Sequence, residues 1–159
     1  ADSPGPGRGS TFRVRLPLAE AESSAPRPAA PTPPTRSRRV LVVDDNVDAA
    51  ETLSMLLDLL GHRATTVYSG PEALPAALRE APEIVFLDIG LPGMSGYEVA
   101  ARLRAEPATA GALLVALTGW GTDTDLQRSW EAGFDRHLTK PVDVTALAEV
   151  LASERRGRS

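Results

Sequence analysis

An open α/β sheet carrying helices on both faces is the fold class this sequence predicts, and three observations predict it. Strand-length signals, three of them continuous apolar runs, alternate five times with segments whose apolar residues recur at helical spacing. Hydrophobic residues make up 42% of the 159 but aromatic ones only 4%, which gives the aliphatic core that layers helices on a sheet. Strands that alternate with helices lie parallel, because parallel neighbours need a crossover, and right-handed crossovers dominate. A doubly wound, five-stranded parallel sheet in three layers follows.

The five units occupy residues 38–159. Val40-Leu41-Val42-Val43 is the first strand and ends in Asp44-Asp45; Val47, Ala50, Leu53, Leu57 and Leu60 then recur at helical spacing, with Gly61 as the stop. Arg63 to Tyr68 reads as a weaker second strand. Ser69-Gly70-Pro71 opens the second helix, where Pro71 sits near the position at which its missing N–H is harmless. Pro75 falls inside that helix and is expected to kink or delay it. Ile84 to Leu87 forms the third strand, ending in Asp88, and a loop with Pro92 and Gly93 leads to a helix over 96–105. Leu113 to Leu117 is the fourth strand, ending in Thr118, with a helix over 123–132 behind it. Phe134 to Leu138 is the fifth strand, ending before Lys140-Pro141. Asp143 caps a last helix that carries Val144, Leu147, Ala148 and Leu151 on one face.

Composition removes several classes of function. There is no cysteine, hence no disulfide, thiol nucleophile or Cys-ligated metal, and two scattered histidines do not make a His-built site. No apolar run approaches the roughly 20 residues of a membrane span, and the opening ADSPGPG is unlike a signal peptide. A soluble, cytoplasmic chain without direct membrane contact is expected. Residues 38–159 carry 12 basic and 18 acidic side chains, so no concentrated basic face is expected and no nucleic-acid partner.

The first 37 residues differ in kind. They hold eight of the 14 prolines, and 19–37 reads as an extended, semi-stiff Pro/Ala-rich linker. Ahead of it Phe12, Val14 and Leu16 alternate at strand period, although one strand cannot fold alone. The boundaries expected are 1–18 for the end of another module, 19–37 for the linker and 38–159 for the domain.

In open parallel sheets the functional crevice lies beyond the carboxyl ends of the strands. Here those ends carry Asp44 and Asp45, Asp88, Thr118 and Lys140. Each has a bland reading alone: Asp44-Asp45-Asn46 as a helix cap, Asp88 as a turn residue, Thr118-Gly119 and Lys140-Pro141 as loop exits. Together they make three carboxylates, a hydroxyl and an ammonium. Carboxylates about 4 Å apart repel by roughly 4 kcal/mol per pair at an effective dielectric near 20, which one lysine does not offset. A divalent cation does, and a small site of hard oxygens suits magnesium. An Asp beside such a cation, a Lys and a Thr is equipped to accept a phosphoryl group.

Residues 38–152 resemble a receiver domain of the two-component response-regulator family, through VLVVDDN at 40–46, FLDIGLPGMSGYEVA at 86–100, ALTGW at 116–120 and GFDRHLTKPVD at 133–143. The resemblance implies the flavodoxin-like (βα)5 fold with strand order 2-1-3-4-5. It implies that Asp88 is the phosphoacceptor, that Asp44, Asp45, Asp88 and the carbonyl of Gly90 bind Mg2+, and that Thr118 and Lys140 contact the phosphoryl oxygens. It also implies a cis bond before Pro141. The family's switch position, usually Tyr or Phe, is His137, which reads either as a partly buried strand residue without a special role or as a switch that, together with Thr118, is expected to move on phosphorylation. Trp120 either shields the phosphoryl group or packs a helix, and His62 reads as a surface turn residue.

GRGSTFRVRLPL at 7–18 is similar to the closing segment of histidine-kinase ATP-binding domains; read by itself it is a Gly/Pro tail with one β-prone stretch. A kinase ending, a linker and a receiver make the layout of a hybrid sensor histidine kinase, whose receiver is expected at the C-terminal end. The parent would then be a kinase that can carry a membrane anchor. The fragment lacks a GxxxxGK[ST] loop and a His-Glu helix start, so it is expected to promote chemistry only on its own side chain. Its partners would be a histidine-kinase phosphohistidine domain or a histidine phosphotransfer protein. The rivals are a free-standing single-domain response regulator, a haloacid-dehalogenase-like phosphatase and, more distantly, a flavin-binding module. The phosphatase class wants a second Asp two residues after the nucleophile, where this chain has Gly90.

Overall fold

A computed structural model describes residues 36–119 and 123–153. The expectations for residues 1–35 and for Trp120 lie outside them. Five strands, β1 (Arg39–Val43), β2 (Arg63–Val67), β3 (Ile84–Asp88), β4 (Leu113–Thr118) and β5 (Arg136–Thr139), alternate with five helices. The helices are α1 (Val47–Leu59), α2 (Gly70–Glu80), α3 (Gly96–Ala105), α4 (Asp123–Ala132) and α5 (Val144–Ala152). All strand pairs are parallel, in the order β2-β1-β3-β4-β5.

The central strands are continuous apolar runs because helices cover both of their faces. Side chains alternate across a strand, so each run is shared between two cores. Val40 and Val42, Ile84 and Phe86, and Leu113, Val115 and Leu117 pack with Leu53 and Leu57 of α1 and Leu147 and Leu151 of α5. Leu41 and Val43, Val85 and Leu87, and Leu114 and Ala116 pack instead with Ala73 and Ala77 of α2 and Val99 and Leu103 of α3. Burying one such aliphatic side chain is worth about 1.5–3 kcal/mol, and the opposed cores fix the sheet between them.

Three local expectations change. Helix α2 starts at Gly70 and continues past Pro75, so the proline does not delay it. The carbonyl that Pro75 cannot serve belongs to Pro71, and both residues are exposed, so that carbonyl is not left in an apolar interior. Strand β5 begins at Arg136 instead of Phe134. Phe134 is buried in the α2–α3 core, and Asp135 turns its carboxylate back to accept the N–H of Leu114 at 2.9 Å.

His62 is the third correction: it is buried, with 6% of its surface exposed, and is no surface residue. Helix α1 ends with Gly61 at φ 85, the Gly61 N–H on the Asp58 carbonyl (2.9 Å) and the His62 N–H on the Leu57 carbonyl (3.0 Å). This closure folds the residue after the glycine back onto the helix, and here that residue is the histidine.

Candidate functional site

The carboxyl ends of β1, β3, β4 and β5 meet at one edge of the sheet. Asp44 follows β1, Asp88 and Thr118 end β3 and β4, and Lys140 follows β5. Asp44, Asp88 and Thr118 are buried, at 2%, 8% and 6% exposure, whereas Asp45 is exposed. Oxygens of Asp44, Asp45 and Asp88 lie within 4.8 Å of one another. Lys140 Nζ bridges the two buried carboxylates, 2.6 Å from Asp44 Oδ2 and 2.8 Å from Asp88 Oδ2. The other oxygens are also held. Asp44 Oδ1 accepts the Asn46 N–H and Asp88 Oδ1 the Gly90 N–H, each at 3.0 Å. Burial alone pulls the Lys140 pKa down; the hydrogen bonds and charges of Asp44 and Asp88 more than reverse this, and the ammonium ends above its ordinary range.

The local sequence explains the placement. Asn46, not either aspartate, caps α1 by accepting the Ala49 N–H at 3.1 Å, which leaves both aspartates free for the pocket. Ser95 and Glu98 form a reciprocal capping box at the start of α3. The N–H and hydroxyl of Ser95 hold the Glu98 carboxyl below the usual carboxylate range. The Lys140–Pro141 peptide bond is cis, and the Lys140 N–H donates to the Thr118 carbonyl at 2.8 Å, tying those two residues together through the backbone.

Two residues of the site carry no side-chain chemistry to mark them in the sequence. A Cβ on Gly96 would stand 2.2 Å from the carbonyl oxygen of Asp88, so α3 can approach the end of β3 only with glycine there. Gly90 lies beside the Asp88 carboxylate, where a Cβ would meet Oδ1 at 3.6 Å, an ordinary van der Waals contact. The signal for Gly96 was present as a glycine directly after the capping serine.

Beside the carboxylates a groove of about 390 Å³ runs along α1, lined by Ala49, Thr52, Leu53 and Leu56 and closed by Pro141 and Val142. His137 lies apart from the carboxylates, on the opposite face of the sheet from Leu138, with its ring centroid 5.6 Å from that of Trp130 and 6.4 Å from that of Phe134. Its Nε2 is buried without a hydrogen-bond partner, as is the Tyr97 hydroxyl. Burial pushes the His137 pKa down.

The donor set fits a hard divalent cation. Three carboxylates with one lysine leave an excess of negative charge in a mostly buried pocket, and every available ligand atom is oxygen. A doubly wound parallel sheet that gathers an acidic cation pocket and a lysine at its carboxyl edge defines a class of small α/β modules built to neutralise an incoming anion. Residues 40–152 match the family model described as "Response regulator receiver domain", and the chain belongs to that family.

Relatives agree with this. The virulence sensor protein BvgS of Bordetella bronchiseptica is 37% identical over 158 residues, covering 92% of this chain but 13% of that protein. Response regulator PleD of Caulobacter vibrioides is 36% identical over 111 residues, 70% of this chain and 24% of PleD. The chain therefore spans a small part of each of these relatives. Among solved structures, the receiver domain of sensor histidine kinase PA1611 from Pseudomonas aeruginosa has a TM-score of 0.67 at 28% identity, covering 73% of this chain and 95% of that one. That crystal structure has magnesium coordinated in the active site cleft. CheY4 of Vibrio cholerae has a TM-score of 0.69 at 25% identity, covering 73% and 97%. The chain is thus a receiver domain of two-component signalling with the sheet order 2-1-3-4-5. No helix among the described residues is long and apolar enough to cross a membrane.

Proposed function

We propose that Asp88 accepts a phosphoryl group from a phosphohistidine with the help of magnesium. The observation that carries this reading is the pair of buried carboxylates, Asp44 and Asp88, bridged by Lys140 at 2.6 and 2.8 Å. Asp44, Asp45, Asp88 and the carbonyl of Gly90 would hold the magnesium, which supplies charge neutralisation as phosphate oxygens approach. An Asp88 oxygen attacks phosphorus as the P–N bond of the donor breaks. The bonding pair leaves with the imidazole nitrogen, and the aspartyl phosphate remains. Lys140 stays protonated and meets the phosphoryl oxygens as a cation, and Thr118 offers its hydroxyl to another. The chain's contribution is positioning and electrostatics, which is what phosphoryl transfer chiefly demands.

The donor is a histidine-bearing helical partner, either a kinase phosphohistidine domain or a phosphotransfer protein. The groove along α1 supports this, since it is apolar and opens beside Lys140. A hybrid histidine kinase is the setting. The 92% coverage against BvgS exceeds what residues 38–159 supply alone, which supports reading 1–18 as a kinase ending, 19–37 as a linker and 38–159 as the receiver of a cytoplasmic portion. After phosphorylation Thr118 moves toward the phosphoryl group and His137 turns inward. The unpartnered Nε2 of His137 supports that role, because a buried polar atom without a partner favours rearrangement.

The test is incubation with magnesium and acetyl phosphate, or with beryllofluoride, followed by intact mass and tryptophan fluorescence. The native protein gains one phosphoryl group only with magnesium, and Asp88→Asn gains none. An adduct that persists in Asp88→Asn overturns the assignment of Asp88.

A further inference from the structure

Arg38, the residue before β1, is held at three points. Its N–H donates to Nδ1 of His62 at 3.2 Å, its carbonyl accepts the Arg63 N–H at 2.9 Å, and its guanidinium donates to the Ser153 carbonyl at 3.0 Å. The first two contacts fix the start of the sheet to the turn between α1 and β2. The third ties it to the end of α5. A ring nitrogen that accepts from a backbone N–H carries no proton, so His62 is the neutral imidazole with its proton on Nε2.

The surroundings oppose a charge on this ring. Burial lowers its pKa most, the Arg38 guanidinium lowers it further, and Glu83, just ahead of β3, pulls the other way. On α1, Asp58 accepts the Ala64 N–H at 3.3 Å, and Arg63, the next residue in the chain, is exposed. Among the described residues nothing in the phosphoryl chemistry uses His62.

We propose that His62 is a proton-operated latch on the segment that leads into the domain, holding the Arg38 N–H when neutral and letting that N–H go when protonated at Nδ1. A proton from solvent takes the lone pair that had received the Arg38 N–H. That N–H turns to water, and the new imidazolium faces the Arg38 guanidinium. The contacts within β1 beyond Arg39 are untouched, so release is local. This device does not depend on phosphoryl transfer and stands if that reading fails.

The experiment is amide exchange and imidazole NMR on the 15N-labelled full chain between pH 7.5 and 5.0, for the native protein and His62→Gln. The native His62 ring shows the Nε2–H tautomer at pH 7.5, and Arg38 amide protection, relative to the intrinsic rate, falls about tenfold on acidification while Leu41 stays protected. His62→Gln keeps an uncharged acceptor at every pH and shows no such fall. An Nδ1–H tautomer, flat Arg38 protection in the native protein, or an equal fall in His62→Gln overturns the latch. The tautomer and the native titration decide the matter even where the variant does not fold.

Discussion

Lys140 is the only lysine in a chain with 16 arginines, and its position explains why an arginine would not serve. A compact ammonium reaches Asp44 Oδ2 and Asp88 Oδ2 at once, whereas a planar guanidinium is broader. Replacing Lys140 with Met leaves two buried carboxylates facing each other. Removing one partner of such a set costs about 3–5 kcal/mol in full burial, and about half of that is expected here because the lysine is partly exposed. In metal-free buffer Lys140→Met should therefore unfold at lower denaturant concentration than the native protein. Added magnesium should narrow the gap and bind more tightly to the variant, which no longer holds a competing cation. Equal magnesium affinity in isothermal titration would show that the lysine and the metal do not compete. The raised pKa of Lys140 has its own consequence. A cation stabilised in the fold contributes fully below its unfolded pKa, so this contribution is lost only as pH rises beyond about 10.5.

Gly96 makes the opposite case, a residue whose role lies in what it lacks. An alanine there puts a carbon 2.2 Å from the Asp88 carbonyl oxygen, and neither backbone can yield without displacing the end of β3. Gly96→Ala should cost about 3 kcal/mol or more, at the upper end of overpacking penalties. The check is the urea midpoint. A shift below about 0.5 kcal/mol would mean that the α3–β3 approach relaxes freely.

At the scale of elements, Arg104 of α3 holds the far end of the sheet together. Its guanidinium donates to the carbonyls of Gly133 (2.8 Å), Ala110 (2.8 Å) and Ala112 (2.7 Å) and pairs with Asp135. Asp135 in turn accepts the Leu114 N–H, so α3, the start of β4 and the turn before β5 share one partly buried network. Arg104→Met should destabilise by about 3–5 kcal/mol, and Asp135→Asn, which keeps an acceptor for Leu114, by less. A double-mutant cycle in urea checks the coupling. Strict additivity would show that the two side chains act separately.

This network also marks where reading from sequence runs out. Strand and helix alternation was legible because each element's period is local, and the strand-end aspartates and lysine were legible because topology alone places them together. The start of β5 was not. The Asp135 carboxylate is engaged by an arginine 31 positions earlier and by the Leu114 N–H, and no local pattern carries that. His62 escaped for a related reason. Gly61 announced the end of α1, but a glycine closure can leave the next side chain in solvent or fold it inward, and the hydrogen bond to Arg38 is made across 24 residues.

For the molecule as a whole, the doubly wound topology points every helix N-terminus toward the site edge of the sheet and every C-terminus away from it. Asp44, Asp45, Asp48 and Asp88 lie at the first edge, and at the second Arg38, Arg39 and Arg104 donate to helix-end and loop carbonyls. Those three cations meet the negative ends of the dipoles they face. The two histidines obey a different rule. Both are pulled below their ordinary pKa, mainly by burial, so the fold binds them neutral while the unfolded chain takes up protons near pH 6.5. Below that pH the unfolded state binds more protons, and stability must rise with pH across the interval. The histidine contribution is therefore complete above about pH 6.5 and lost progressively as pH falls from there toward the folded pKa values. Urea unfolding at pH 7.5, 6.5 and 5.5 should show a declining stability in the native protein and a flatter course in the double variant His62→Gln/His137→Gln. Each single variant should remove part of the slope, because the two rings sit on opposite flanks of the molecule, one at the close of α1 and one on β5, and share no partner. If the double variant declines as steeply as the native protein, the acid sensitivity belongs to the carboxylates instead, and the histidines are spectators of the fold's stability.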